Sequence, residues 1–320
     1  MSGRTLKIFT GSGNPTLAQE VADYLDLPLG EMSLFRFADG EVGISIEESV
    51  RGEDVFVIQP TSPPVNEHLM ELLVIIDALR RASAARITAV IPYFGYGRQD
   101  RKMRPREPIS GKLVANLLTS AGAQRILTVD LHAGQIWGFF DIPLDHLPSR
   151  MLLVDHLRRR DLDNLVIVSP DIGGTQRARE FAASVGAPIA IIDKRREKPN
   201  EVREVVYVIG KVYRRRAVIV DDIADTAGTL TMAAQALRKR GVEEVSAYVT
   251  HAILSGQAVD RIAQSPLREL VVTNTVALPP EKRLEKIKVL SVAPLLGEAI
   301  RRIHDDRSVS DLFESLPQPV

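Results

Sequence analysis

The chain has 320 residues, with 41 Lys and Arg against 41 Asp and Glu, so its formal net charge is zero. That balance leaves no general electrostatic reason to coat nucleic acid or an acidic membrane, and neither is expected as a partner. With no cysteine, disulfides, thiolate chemistry and sulfur-ligated metal sites are excluded.

Met1–Pro15 lacks the long apolar stretch of a signal peptide, and the longest apolar runs are strand-sized. A cytoplasmic protein is expected. Leu6–Phe9 reads as a strand and Thr16–Leu25 as a helix. Val55–Ile58 is a strand, and Asn66–Arg81 a helix with Leu69, Leu72, Leu73, Ile76 and Leu79 on one face. Ile87–Ile91 and Ile126–Val129 read as buried strands on either side of a helix over Ile109–Ser120. Beyond them the scheme repeats. Helices over Met151–Arg160, Gln176–Ser184 and Thr229–Arg240 alternate with strands at Leu165–Val168, Ile189–Ile192 and Ala217–Val220. Strands at Val245–Thr250 and Glu269–Val272 and a helix near Pro294–Ile303 complete it. Val/Ile runs alternating with helices signal parallel sheet covered on both faces. The pattern predicts two tandem doubly wound α/β domains, over 1–147 and 148–305, with a tail at 306–320. Ligands are then expected beyond the carboxyl ends of the strands. Tyr93–Pro108 and Lys194–Arg203 fit neither pattern and read as long polar loops, of the kind that form lids or bind ligands.

The sharpest chemical signal is Ala217–Leu230, AVIVDDIADTAGTL. A buried strand ends in Asp221 and Asp222. Asp225, Thr226, Ala227, Gly228 and Thr229 then open a helix. Small residues let the backbone curl so that several N–H groups face one anion, and the helix N-terminus and threonine hydroxyls add to it. Ionised Asp221 and Asp222 accept hydrogen bonds only, which suits the vicinal hydroxyls of a sugar. The plainer reading is a strand, a turn and an N-capped helix. The pattern is neither a Walker loop nor a GxGxxG fingerprint.

This segment resembles the phosphoribosyl diphosphate motif shared by type I phosphoribosyltransferases and ribose-phosphate diphosphokinases. Further segments resemble the second family: Phe37–Glu41, Tyr96–Lys102, Asp130–Ala133 with Gly138–Pro143, and Ser169–Asp171 with Gly173-Gly174. The likeness runs through nearly the whole chain in order, to Ser308–Phe313. It implies two type I phosphoribosyltransferase-like domains and transfer of the diphosphoryl group of ATP to the anomeric hydroxyl of ribose 5-phosphate, with release of AMP. It implies that Phe37, Asp39 and Glu41 recognise adenine across a subunit boundary, and that Arg98 and Gln99 contact ATP. His132 and Asp171 become Mg²⁺-site residues, His132 also lying near the triphosphate. Lys194 and Arg196 open a lid and stabilise charge in the transition state. Asp221, Asp222 and Asp225–Thr229 hold ribose 5-phosphate.

Arg51, Lys102, Arg106, Ser308, Ser310 and Phe313 match positions that bind inorganic phosphate or ADP between subunits in phosphate-activated members. The family's assembly is a homo-oligomer, a hexamer. Two departures stand out: Ile172, where the family commonly has His or Ala, and Glu197 in the lid sequence after Arg196. Two other readings remain open. One is a phosphoribosyltransferase, which consumes the diphosphate. The other is a silent regulatory subunit.

Overall fold

The computed structural model describes residues 3–196 and 204–313 and divides into two compact units. The first holds the chain up to Pro148 together with Thr275–Ala277 and Ser291–Leu312; the second holds Ser149–Asn274 and Leu278–Leu290.

The first unit runs β1 (Leu6–Thr10), α1 (Pro15–Leu25), β2 (Met32–Arg36), β3 (Val42–Ile46), β4 (Asp54–Ile58), α2 (Val65–Arg81), β5 (Arg86–Ile91), α3 (Ser110–Ala121), β6 (Arg125–Val129) and β7 (Leu144–Leu147). Its sheet has the order β1-β4-β5-β6-β7, every pair parallel, and β2 and β3 form a separate antiparallel hairpin. All five residues of β4 are buried, because helices or loops cover both of its faces. Val55 and Val57 join Phe9, Ile87, Ala89 and Ile91 in a cluster with Leu72, Ile75, Ile76 and Leu79 of α2. Burying each Leu or Ile of that stripe contributes about 2 kcal/mol.

The second unit runs α4 (Arg150–Arg158), β8 (Leu165–Ser169), α5 (Thr175–Val185), β9 (Ile189–Arg196), β10 (Glu204–Ile209), β11 (Arg216–Ala224), α6 (Gly228–Lys239), β12 (Glu244–Ala252), α7 (Ala258–Gln264), β13 (Glu269–Thr273) and β14 (Ile287–Leu290). Its sheet has the order β10-β9-β8-β11-β12-β13-β14, parallel except at the β9–β10 edge. Strand order reverses between β8 and β11. In an open parallel sheet the crevice at that reversal is where a ligand lodges.

The structure departs from the sequence reading in two places. The segment from Lys194, read as a loop, begins as the end of β9, where Lys194 pairs with Val206. The lid positions Glu197–Asn200 lie outside the described residues, as do the side chains of Lys194 and Arg196. The last helix, α8 (Ala293–His304), was expected with the second domain, yet it packs on α1 of the first unit. Its buried Leu296, Ile300 and Ile303 need an apolar partner, and Gly297 lets the helix close on Tyr24. A Cβ on Gly297 would lie 2.3 Å from the Tyr24 ring. No described helix is long and apolar enough to cross a membrane.

Candidate active site

In the second unit, β11 continues through Asp221 and Asp222 to Ala224, four residues beyond the expected end at Val220. Asp222 is buried at 3% exposure and Asp221 is partly open. Asp225, Thr226 and Ala227 turn the chain into α6. Neither Asp nor Thr caps that helix. The cap is Ala227, in the left-handed region at φ 58°, with no side-chain cap bond. The N–H groups of the first turn therefore face outward without a side-chain acceptor, which is the condition for holding an anion. A Cβ built on Gly228 would meet nothing closer than 3.8 Å, so space is open above the turn.

The loop is braced from β12 and α7. Leu254 N–H donates to Ala224 O and Ser255 N–H to Asp225 O, both at 3.0 Å, and Arg261 Nη1 donates to Thr226 O at 2.9 Å. Across the reversal, β8 ends at Ser169. Asp171 is exposed there, and its Oδ1 accepts from Gly174 N–H at 2.9 Å. Ile172 beside it is 65% exposed, so the departure at this position costs no packing. Arg177 of α5 reaches the carboxylate pair, with Nη1 3.2 Å from Asp221 Oδ1 and 3.1 Å from Asp222 Oδ1. The reversal thus gathers Asp171, Arg177, Asp221, Asp222 and the α6 turn. Arg177 and Arg261 were missed from the sequence because both act on residues far along the chain.

Burial, then the adjacent Asp222 carboxylate, push the Asp221 carboxyl well above the usual carboxylate range, against the opposing pull of Arg177. The folded state therefore holds this proton more tightly than the unfolded chain. The resulting stability is complete below about pH 4 and is lost as pH rises through the folded value. Asp221→Asn is expected to flatten the melting temperature of the ligand-free protein between pH 5 and pH 8, and to leave the variant the more stable at the alkaline end. Parallel wild-type and variant curves would refute it.

In the first unit, the loops at the carboxyl ends of β5 and β6 carry the remaining candidates. Tyr93 and Phe94 are buried, and Gly95 N–H donates to Thr61 Oγ1 at 2.7 Å. Arg98 and Gln99 follow, exposed, with Gln99 Oε1 accepting from Ser110 Oγ at 2.6 Å. Asp130 leaves β6 at φ 38°, and His132 is exposed two residues later. The β2–β3 turn closes with Phe37 N–H donating to Glu41 O at 2.9 Å, and Asp39 Oδ1 accepting from Glu41 N–H at 3.1 Å. Phe35 and Phe37 stand exposed at 45% and 53%, edge to face at 5.2 Å. Two large uncovered rings on one hairpin are unusual for a solvated surface and offer a stacking face.

This hairpin is tied to α2 by Arg36, which the sequence reading did not single out. Its Nη2 lies 2.8 Å from Glu71 Oε1 and its Nη1 2.6 Å from Glu67 Oε2. Glu71 is 1% exposed and also accepts from Ser12 N–H at 3.1 Å, Ser12 Oγ at 2.7 Å and Gln59 Nε2 at 2.8 Å. The available signal was a carboxylate inside an apolar helical run, MELLVII.

The tail is anchored at the other end of the first sheet. His304 Nδ1 is 2.8 Å from Asp54, the first residue of β4, and Asp306 is 2.9 Å from Arg86, the first of β5. The Ser308 and Ser310 hydroxyls bond at 2.9 Å, and Phe313 is half-buried. Arg51 is exposed in the turn before β4, whereas Lys102 and Arg106 are exposed in the loop that leaves the far end of β5. Among the described residues no cluster of three or more His, Asp or Glu side chains is placed to enclose a metal ion.

The family model described as the N-terminal domain of ribose phosphate pyrophosphokinase matches residues 6–122, and that of the phosphoribosyl synthetase-associated domain matches 194–314. The ribose-phosphate pyrophosphokinase of Bacillus caldolyticus is 57% identical over 309 residues, covering 97% of this chain and 98% of that one. The Corynebacterium ammoniagenes enzyme of the same name is 58% identical over 308 residues, covering 96% and 97%. The crystal structure of phosphoribosylpyrophosphate synthetase from Mycobacterium smegmatis superposes with a TM-score of 0.91 at 43% identity, covering 95% of this chain and all of that one. With relatives this similar over their whole length, the chain belongs to the ribose-phosphate pyrophosphokinase family.

Proposed function

We propose that this chain transfers the diphosphoryl group of ATP to ribose 5-phosphate, giving 5-phosphoribosyl 1-diphosphate and AMP for nucleotide biosynthesis. The observation that carries the site assignment is the uncapped turn at Ala227–Thr229 beside the Asp221–Asp222 pair. The turn binds the 5-phosphate, and the two carboxylates accept from the ribose hydroxyls. Donors from those hydroxyls favour the ionised form of Asp221 that burial disfavours. The anomeric oxygen attacks the β-phosphorus of ATP, its proton is lost, and the bond from that phosphorus to the α–β bridging oxygen breaks as AMP departs. Positive charge from Lys194 and Arg196 offsets what develops on the transferring oxygens. On the ATP side, Arg98 forks onto phosphate oxygens, Gln99 and His132 flank them, and Phe37, Asp39 and Glu41 take the adenine of a neighbouring subunit's ATP.

Asp171 fits Mg²⁺, which takes one or two carboxylates together with water and substrate phosphates. One of its oxygens holds Gly174 N–H, and the other is left for the metal. His132 supplies nitrogen, the weaker donor for this ion. When bound, the metal neutralises phosphate charge and orients the diphosphate.

We extend the reading to regulation by inorganic phosphate and ADP at Arg51, Lys102, Arg106, Ser308, Ser310 and Phe313, in a cytoplasmic hexamer. Within one chain, Arg51 and the serines belong to one end of the first sheet, while Lys102 and Arg106 belong to a loop from the other. That division supports a site completed by a second subunit. Activity insensitive to both anions would remove the regulatory reading.

The deciding assay is AMP formation from ATP and Mg²⁺ with and without ribose 5-phosphate. AMP that requires the sugar phosphate and matches phosphoribosyl diphosphate is expected. No AMP from folded protein at any phosphate concentration would favour the silent subunit, and consumption of phosphoribosyl diphosphate with a free base would favour the transferase.

A further inference from the structure

Several arginines of the second unit have a carboxylate partner. Arg150 pairs with Glu180, Arg160 with Glu269, Arg177 with Asp221 and Asp222, Arg216 with Asp161, and Arg268 with Glu244. The turn from β10 to β11 is different. There an open hollow of about 490 Å³ is lined by Lys211, Arg214, Arg215 and Arg240, and no acidic side chain lines it. None of the four makes an ion pair among the described residues. In a chain of zero net charge this is a concentrated positive site.

The turn is also held in shape. Arg214 takes the left-handed φ of 54°, its N–H donates to Gly241 O at 2.9 Å, and its carbonyl accepts from Asn164 Nδ2. Its guanidinium lies over the Tyr213 ring, 5.4 Å from the centroid. Arg215 N–H donates to Val212 O at 3.2 Å, and its Nη1 to Leu165 O at 3.3 Å. Cations near the end of α6 complement that helix's dipole, which accounts for Arg240. It does not account for Lys211, Arg214 and Arg215, which come from another segment. Glu243, whose N–H donates to Arg215 O, is not among the lining residues.

We propose that this hollow binds an oligophosphate anion of the length of a triphosphate. Several phosphates in a row match three cations on one turn and a fourth from the end of α6, and guanidinium forks suit their oxygens. The site is separate from the ribose 5-phosphate turn. Arg216 and Ala224 are the two ends of β11, whose nine residues span about 27 Å. The proposal does not rest on the reaction assigned above.

The test is calorimetric titration of inorganic triphosphate, and separately of ATP, into the full-length protein and into Lys211→Ala/Arg240→Ala. Neither residue belongs to the candidate catalytic machinery, so AMP formation should stay within about twofold and report intact folding. The double variant is expected to lose one binding equivalent, or to weaken it at least tenfold, with the effect fading at high salt. Loss for triphosphate alone assigns an inorganic occupant, and loss for both assigns a nucleotide. Unchanged affinity and stoichiometry for triphosphate overturn the proposal.

Discussion

Replacing Lys194 by alanine will lower kcat for AMP formation by about 10²–10³, the usual effect of removing one preorganised charge from a transition state. The KM values for ATP and ribose 5-phosphate should change little, because the contact is made as charge develops on the transferring group. Stability should be nearly untouched, with a melting shift of about 1–2 °C. The backbone supports this separation. Lys194 pairs with Val206 at the β9–β10 edge of the sheet, and β9 adjoins β8, whose end carries Asp171. Lys194→Arg restores the charge and should recover part of the rate. A Lys194→Ala enzyme with near-normal kcat would remove this residue from the chemistry while leaving the assignment of the reaction intact.

What the sequence made legible follows the range of the interactions. β4, β8 and β13 are runs of Val, Ile and Leu whose every apolar residue is buried, and such runs announce buried parallel strands by themselves. The turn at Asp225–Thr229 into a helix was equally readable, since the residues that form it are consecutive. The hairpin strands β2 and β3 were not. Their alternation is half-exposed and interrupted by the uncovered Phe35, so no clear period stands out. Arg177 could not be found locally either. It acts on Asp221, 44 residues away, and in the sequence TQRARE it looks like any solvated helical cation. The placement of α8 has the same origin. Its amphipathic face is evident in the sequence, but nothing in it names Tyr24 as the ring that Gly297 must admit.

The strongest structural consequence concerns Glu71. Glu71→Ala is expected to destabilise the first unit by about 3 kcal/mol, because it strips Ser12 of its side-chain acceptor and takes one acceptor each from Gln59 and Arg36 inside the core. Ser12 N–H, Ser12 Oγ and Gln59 Nε2 all donate to it, and Gln59 is fully buried, so water cannot replace the lost acceptor freely. Arg36 is about a third exposed and keeps Glu67, which limits its own share. For a unit of this size the change corresponds to a melting-temperature drop of roughly 6–12 °C. Glu71→Gln keeps one acceptor oxygen and the shape, and should lose less than half as much. The two variants also separate stability from positioning. Arg36 immediately precedes Phe37, so loosening its anchor frees the hairpin that presents Phe37, Asp39 and Glu41. Glu71→Gln should therefore raise KM for ATP several-fold at temperatures where it is fully folded, with KM for ribose 5-phosphate unchanged. Equal melting temperatures for wild type and Glu71→Ala would show that the network contributes nothing net. An ATP KM unmoved in Glu71→Gln would detach the hairpin's position from it.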